Sequence, residues 1–191
     1  MTKLLFFAGS SRKDSYNKIL AKKAYELAKT ELDITATYID LKDFPMPLYD
    51  GDLEEASGLP ENAKKLKKIF IEHQGFFIAA PEYNSSLTPL LKNSLDWISR
   101  KENDKEEALI AFNNKVAAIT SASPGGLGGL RGLVALRLML SNINVTVIPN
   151  QLSIPAAFEA FDENGEFKNA THLKNLKGVV SNFIHTTKKL S

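Results

Sequence analysis

The chain contains no cysteine in its 191 residues. Disulfides, thiolate nucleophiles and thiolate metal sites are therefore excluded, and any redox chemistry has to come from a bound cofactor. An excess of one charge is missing too. There are 24 basic and 22 acidic side chains, and a net charge of +2 does not make a polyanion-binding surface. Nucleic acid is not an expected partner. Nor is there a long apolar run, since no stretch approaches the roughly 18 apolar residues of a membrane span. The opening Met1-Thr2-Lys3-Leu4-Leu5-Phe6-Phe7-Ala8 begins like a secretion signal. Gly9 to Arg12 turn polar before an apolar core of ordinary length has formed. The expectation is a cytoplasmic protein with no membrane partner. In that compartment the Asn-x-Ser/Thr triplets at Asn84, Asn144 and Asn169 carry no glycan.

What is present is an ordinary globular balance, with 43% hydrophobic and 24% charged residues. That balance and this length predict one domain, residues 1–191, with a substantial core. Leu4 to Ala8 is a continuous apolar run, as in a strand covered on both faces. Asn17 to Lys29 follows as a helix, with Leu20, Ala24, Leu27 and Ala28 on one stripe. Ile34, Ala36 and Tyr38 alternate with threonines as a second strand. Pro45, Pro47, Gly51 and Gly58 predict an irregular connection from Phe44 to Leu59. Glu61 to Glu72 reads as a helix. Its Lys64-Lys65 and Lys67-Lys68 pairs are expected on a solvated face, because Leu66, Ile69 and Phe70 supply the apolar one.

Gly75 to Ala80 is a third strand. Leu90, Leu91, Leu95 and Ile98 mark a helix ending near Arg100, and Lys101 to Glu107 a charged surface connection. Val116 to Ile119 is a strand, Leu130 to Leu140 a helix, and Val145 to Ile148 a final strand. Pro149 to Gly165 is expected to be irregular and Leu173 to Thr186 to form the closing helix. Strands alternating with helices imply a parallel sheet covered on both faces, a three-layer α/β sandwich. Right-handed crossovers make 2-1-3-4-5 the natural order of five strands. Ligands in such sheets bind beyond the strands' carboxyl ends where the order reverses, here between the first and third strands.

Three loops fall at that end. Gly9 to Asn17 brings Ser10, Arg12, Ser15 and Asn17 to the mouth of a helix, where free amides and the helix dipole attract an anion. Pro81, Glu82, Tyr83 and Asn84 follow the third strand. Their amides, the Asn84 side chain and the Tyr83 ring suit a flat polar heterocycle. Ser121 to Gly129 adds Ser121, Ser123 and a glycine-rich turn, including Gly125 and Gly126, which allows close backbone approach to a ligand. Each loop also has a plain structural reading: helix capping by Ser15, an Asx-type turn, and a flexible surface turn. The first loop has neither Gly-x-Gly-x-x-Gly nor Gly-Lys-Ser/Thr, so the dinucleotide and ATPase fingerprints are absent. Taken together, the loops suggest one mononucleotide, with FMN the best candidate.

The strings Gly9-Ser10-Ser11-Arg12-Lys13-Asp14-Ser15-Tyr16-Asn17, Pro81-Glu82-Tyr83-Asn84 with Leu91-Lys92-Asn93-Ser94-Leu95-Asp96-Trp97, and Ser123-Pro124-Gly125-Gly126 with Gly128-Gly129 resemble the NADPH-dependent FMN reductase family. This is a flavodoxin-like branch that includes quinone, chromate and azo-dye reductases. The resemblance runs from the start of the chain to about Pro149. It implies that Ser10, Arg12, Ser15 and Asn17 hold the FMN phosphate and that Pro81 to Asn84 border the isoalloxazine. Ser121, Ser123, Gly125 and Gly126 then line its other side. It also implies ping-pong hydride transfer from NADPH or NADH through FMN to a quinone, free flavin or similar small-molecule acceptor, in a homodimer or homotetramer. No side chain is expected to act as general acid or base. Thr88-Pro89-Leu90 departs from the family's Pro-Gly pair, which bears on the acceptor side and on subunit packing.

Trp97, Leu90, Leu91 and Ile98 serve either a subunit contact or the chain's own core. His73, His172 and His185 are expected as surface or helix residues outside the loops. A flavodoxin-type electron carrier is the first alternative, disfavoured by a pI near 8.6 where such carriers have an acidic docking face. A phospho-receiver is disfavoured because Ala8-Gly9-Ser10-Ser11 stands where its acidic cluster belongs. A flavin-based redox sensor acting through a partner is the third.

Overall fold

Every residue of the first strand from Leu4 to Ala8 is buried, because both faces of that strand are covered. The computed structural model describes residues 1–191. In chain order the elements are β1 (Thr2–Ala8), α1 (Tyr16–Lys29), β2 (Ile34–Tyr38), α2 (Gly51–Ser57), α3 (Glu61–Glu72), β3 (Gly75–Ala79) and α4 (Pro89–Ile98). They continue with β4 (Val116–Ala122), α5 (Leu130–Asn142), β5 (Thr146–Val147), β6 (Leu152–Ile154), α6 (Ala157–Ala160) and α7 (Ala170–Leu190). Alternate residues of β1 enter different cores. Leu4, Phe6 and Ala8 pack with α1 and α7, whereas Leu5 and Phe7 pack with α3, α4 and α5. That alternation makes a three-layer sandwich from an unbroken apolar run.

The strand order is β2-β1-β3-β4-β5 and all pairings are parallel, which is the flavodoxin-like arrangement. β1 and β3 lie side by side in register, so their carboxyl ends open the reversal point together. The Gly9 N–H donates to Ala79 O (2.9 Å) and the Ala80 N–H to Thr120 O (2.8 Å), carrying the ladder into the loops.

The last strand differs from expectation. It is split: β5 pairs with Val116 and Ala117, and β6 pairs with Thr120 to Ala122. Pro149, which cannot donate to a ladder, lies in the gap. β6 thus supports the far end of β4, where the third loop departs. The connection from Phe44 to Leu59 is not wholly irregular either. The Asp50 carboxylate caps α2 by accepting from the Asp52 and Leu53 N–H groups, and Gly58 (φ 67°) ends the helix. No residue of α2 is buried, so no apolar stripe announces it. The preceding segment is strapped to α4. Asn93 Nδ2 and Trp97 Nε1 both donate to Pro47 O (2.8 Å each), and the Tyr49 N–H donates to Asn93 Oδ1 (2.7 Å).

Lys67 is the exception in the lysine-rich helix. Lys65 and Lys68 are exposed as expected, but Lys67 is only 1% exposed. Its ammonium donates to Arg100 O (2.6 Å) and pairs with Glu106. Burial alone would raise the Glu106 carboxyl, but bonds from Lys67 and the Glu102 N–H, with the charges of Lys67 and Lys101, hold it below the usual range. The pair ties α3 to the charged connection after α4. His73 is also buried, at the end of α3. Its Nδ1–H donates to Ile69 O (2.6 Å), its Nε2 faces the Thr37 hydroxyl (2.9 Å), and burial pushes its pKa down. Trp97, Leu91 and Ile98 are fully buried, so they belong to the chain's own core. No helix is long and apolar enough to cross a membrane.

Candidate functional site

α1 begins with its first-turn amides unspent. Ser15 occupies the N-cap position, yet its hydroxyl makes no capping bond, and the first turn carries no acidic residue. The first helical bond at this end runs from the Ile19 N–H to Ser15 O (3.1 Å). The Tyr16, Asn17 and Lys18 N–H groups therefore project beyond the helix as donors. Lys18 turns away and its ammonium bonds Asp40 (2.6 Å), while the Arg12 side chain is exposed at the rim. Ser10 is buried and its hydroxyl oxygen accepts the Arg12 N–H (3.3 Å). Free amides, two hydroxyls and a guanidinium form a seat for a doubly charged anion.

The second loop is a miniature hairpin. Tyr83 and Ser86 exchange two backbone bonds of 3.0 Å, and Asn84 (φ 50°) and Ser85 (φ 64°) occupy the tip in left-handed conformations. Asparagine tolerates that geometry well. The Tyr83 side chain is 48% exposed. The Glu82 carboxylate turns to α5, where it accepts the Gly132 N–H (2.9 Å) and pairs with Arg131 (3.1 Å).

In the third loop the glycines divide into two groups. Gly125 and Gly126 are exposed, and a Cβ added at Gly126 would meet nothing within 4 Å. Gly128 (φ 61°) and Gly129 (φ 87°) press on the chain itself. A Cβ at Gly128 would lie 2.6 Å from Ile154 C, and one at Gly129 would lie 2.0 Å from Ser121 Oγ. Their need for glycine arises from close packing of the loop on β4 and β6.

Ser10, Arg12, Ser15, Asn17, Pro81, Glu82, Tyr83 and Ser123 line one open notch of about 80 Å³. The structure thus brings together residues that lie over a hundred positions apart. Asn84 sits at the hairpin tip, and Gly125 and Gly126 form the outer edge of the third loop. Ser121 is fully buried beneath Gly129, with its hydroxyl unpartnered. Tyr16, Ala122 and Pro124 also line the notch and were not foreseen. Tyr16 is placed by stacking on Phe161 (6.2 Å, 10°), a residue of the segment expected to be irregular. A larger cavity of about 1000 Å³ is built on the flanks of α1 and α7 and includes none of the three loops.

The residues present fit a flavin mononucleotide. The uncommitted amides and Ser15 hydroxyl match a phosphate. The exposed edge at Gly125 and Gly126 and the exposed hairpin tip stand open beside that seat. Strand order defines a flavodoxin-like protein, and the notch lies at its reversal point, where ligands of such sheets bind. The chain belongs to the NADPH-dependent FMN reductase family, whose model matches residues 2–159. Membership makes it an oxidoreductase that works with FMN and a reduced nicotinamide. It is 32% identical over 182 residues to an NAD(P)H:quinone oxidoreductase of Solanum tuberosum, covering 93% of this chain and 89% of that protein. It is 30% identical over 191 residues to an NADPH azoreductase of Bacillus sp. (strain OY1-2), covering 98% of each. Among solved structures it resembles FerB, a flavoenzyme NAD(P)H:(acceptor) oxidoreductase from Paracoccus denitrificans. The TM-score is 0.78 and the identity 26%, over 99% of this chain and 98% of that one.

Proposed function

We propose that the protein reduces a quinone-type small molecule with NADPH or NADH, the two substrates using one open face of bound FMN in turn. The observation that carries this reading is the unspent start of α1 beside Arg12, set against the Tyr83 hairpin at the β1–β3 reversal. The names of the relatives, quinone and azo reductases, support the acceptor class.

Ser10, Arg12, Ser15 and the first-turn amides of α1 would hold the phosphate. The amides of Glu82, Tyr83 and Asn84, with Pro81, would border the ring on one side, and Ser123, Gly125 and Gly126 on the other. Asn17 and Ser121 would act from beneath. Bound FMN supplies the hydride chemistry, accepting from the nicotinamide and returning two electrons to the acceptor. Backbone donors beside the ring would favour the negative charge of its reduced form. The chain's part is placement and electrostatics.

The purified protein is expected to be yellow or to take up added FMN, and NAD(P)H should bleach it under anaerobic conditions. Adding a quinone should restore the colour. A colourless protein that refuses FMN overturns the reading. Bleaching without turnover of any acceptor would favour the redox-sensor alternative.

We also propose a homo-oligomer. Leu127, Leu130, Val134 and Leu138 are 39–74% exposed and spaced to share one face of α5 and the loop before it. Light scattering is expected to give at least twice the 21.1 kDa chain mass, and Val134→Glu with Leu138→Glu to reduce it. A wild-type protein of single-chain mass would contradict this.

A further inference from the structure

We propose that the cradle is set before any ligand arrives by three side-chain clasps among the three loops and the helices they lead into, and that Asn17, Thr88 and Glu82 are the positioning residues. The proposal rests on the FMN reading of the site.

The first clasp joins the first and third loops. Asn17 is 3% exposed, its Nδ2 donates to Ala122 O (2.8 Å), and its Oδ1 accepts the Ala122 N–H (3.0 Å). β3 has already ended at this level, since its ladder with β4 stops near Thr120. The Asn17 amide takes the place of the missing strand and pairs both polar groups of a buried residue. The second clasp joins the first and second loops. Thr88, 3% exposed, donates its hydroxyl to Gly9 O (2.6 Å) and accepts the Leu91 N–H (3.2 Å), so one oxygen also caps α4. The third joins the second loop to the first turn of α5, directly after the third loop. Gly129 caps α5 without a side chain, and Glu82 supplies the missing acceptor to the Gly132 N–H. The three clasps close a circuit around the cradle through the protein alone. A cradle held this way spares FMN the entropy of ordering its own site.

Asn17→Asp keeps the shape, removes the donor to Ala122 O and adds a charge beside the phosphate seat. The ionised carboxylate still accepts the Ala122 N–H, but its second oxygen faces Ala122 O. The protonated carboxyl donates again. Burial and the facing carbonyl favour the protonated form of that carboxyl, against the pull of the start of α1. FMN affinity of the variant is expected to be at least roughly tenfold below wild type at pH 8, with the gap narrowing towards pH 5. Arg12, Tyr16, Glu82 and Tyr83 line the same notch, and Asp14 and the Lys18–Asp40 pair flank it. All are common to both proteins, but the new carboxylate also repels the flavin phosphate, so ligand-free hydrogen exchange separates the clasp from that repulsion.

Two further measurements keep the proposal exposed if Asn17→Asp folds poorly. Thr88→Ser should retain FMN affinity, and Thr88→Val should lose it by roughly tenfold. Hydrogen exchange at the Ala122 amide, without ligand, should be faster in Asn17→Ala, which removes both clasp bonds, than in wild type. Equal exchange, an affinity ratio flat with pH, or a Thr88→Val variant that binds like wild type overturns the clasps. Wild type refusing FMN overturns the reading of the site, and the clasps then stand or fall by the exchange result alone.

Discussion

Replacing Arg12 by alanine is expected to weaken FMN binding by roughly 10- to 100-fold while leaving thermal stability almost unchanged. The Arg12 side chain is exposed and takes no part in the protein's ion pairs. Its removal therefore breaks nothing within the fold. Its charge stands at the rim of the only stretch of α1 with unspent donors. A charge-assisted bond to phosphate is worth about 1.5–3 kcal/mol, which converts to the stated range. Turnover at saturating FMN should change little, because the phosphate seat lies away from the reacting end of the flavin. Titration by flavin fluorescence at low and high salt checks both points, since the wild-type affinity should fall with salt more steeply than the variant's. Equal affinities would remove the phosphate from this seat.

The second large effect is expected at Gly128. Its φ of 61° disfavours any L side chain, and an added Cβ would meet the Ile154 backbone at 2.6 Å. Neither the strain nor the collision can be relieved by a rotamer change, because the obstacle is main chain. Strain in the left-handed region and overpacking each cost about 1–3 kcal/mol, so Gly128→Ala is expected to lose roughly 2–6 kcal/mol. At about 2–4 °C per kcal/mol for a chain of this size, the melting temperature should fall by roughly 4–24 °C. FMN affinity should fall as well, because the third loop has to lift from β6. Gly126→Ala is the matched control, two residues away in open space, and should stay within about 0.5 kcal/mol of wild type. Similar melting temperatures for the two variants would show that the loop does not press on β6.

The core of the fold was legible wherever a segment is buried on both sides. Leu4 to Ala8, Gly75 to Ala79 and the stripe of α1 announce themselves because every turn of the pattern meets the same environment. Illegible segments have mixed surroundings. α2 buries nothing, and only Asp50 and Gly58 mark its ends. β6 is three residues long and exists because β4 offers it a free edge beyond Pro149. Lys67 shares its helix with two exposed lysines and is distinguished from them by Glu106, nearly forty residues away.

The candidate site divides in the same way. Ser10, Arg12, Ser15 and the Tyr83 hairpin could be placed from residue type and loop position, since a helix start or a two-residue turn is a local event. The destinations of Asn17, Glu82, Thr88 and Ser121 could not. Each is polar, and each is turned to or buried against another part of the chain.

By itself, the amino-acid order determined the alternation of strands and helices, the need for a borrowed redox group, and which loops carry donors for an anion. Burial periodicity and loop composition depend on neighbours in the chain, so they are written locally. Only the tertiary structure decided which of those polar groups face the cradle and which hold it in shape. That choice depends on which backbone groups are left unpaired where β3 ends and α4 and α5 begin, and those vacancies arise only once the sheet has assembled.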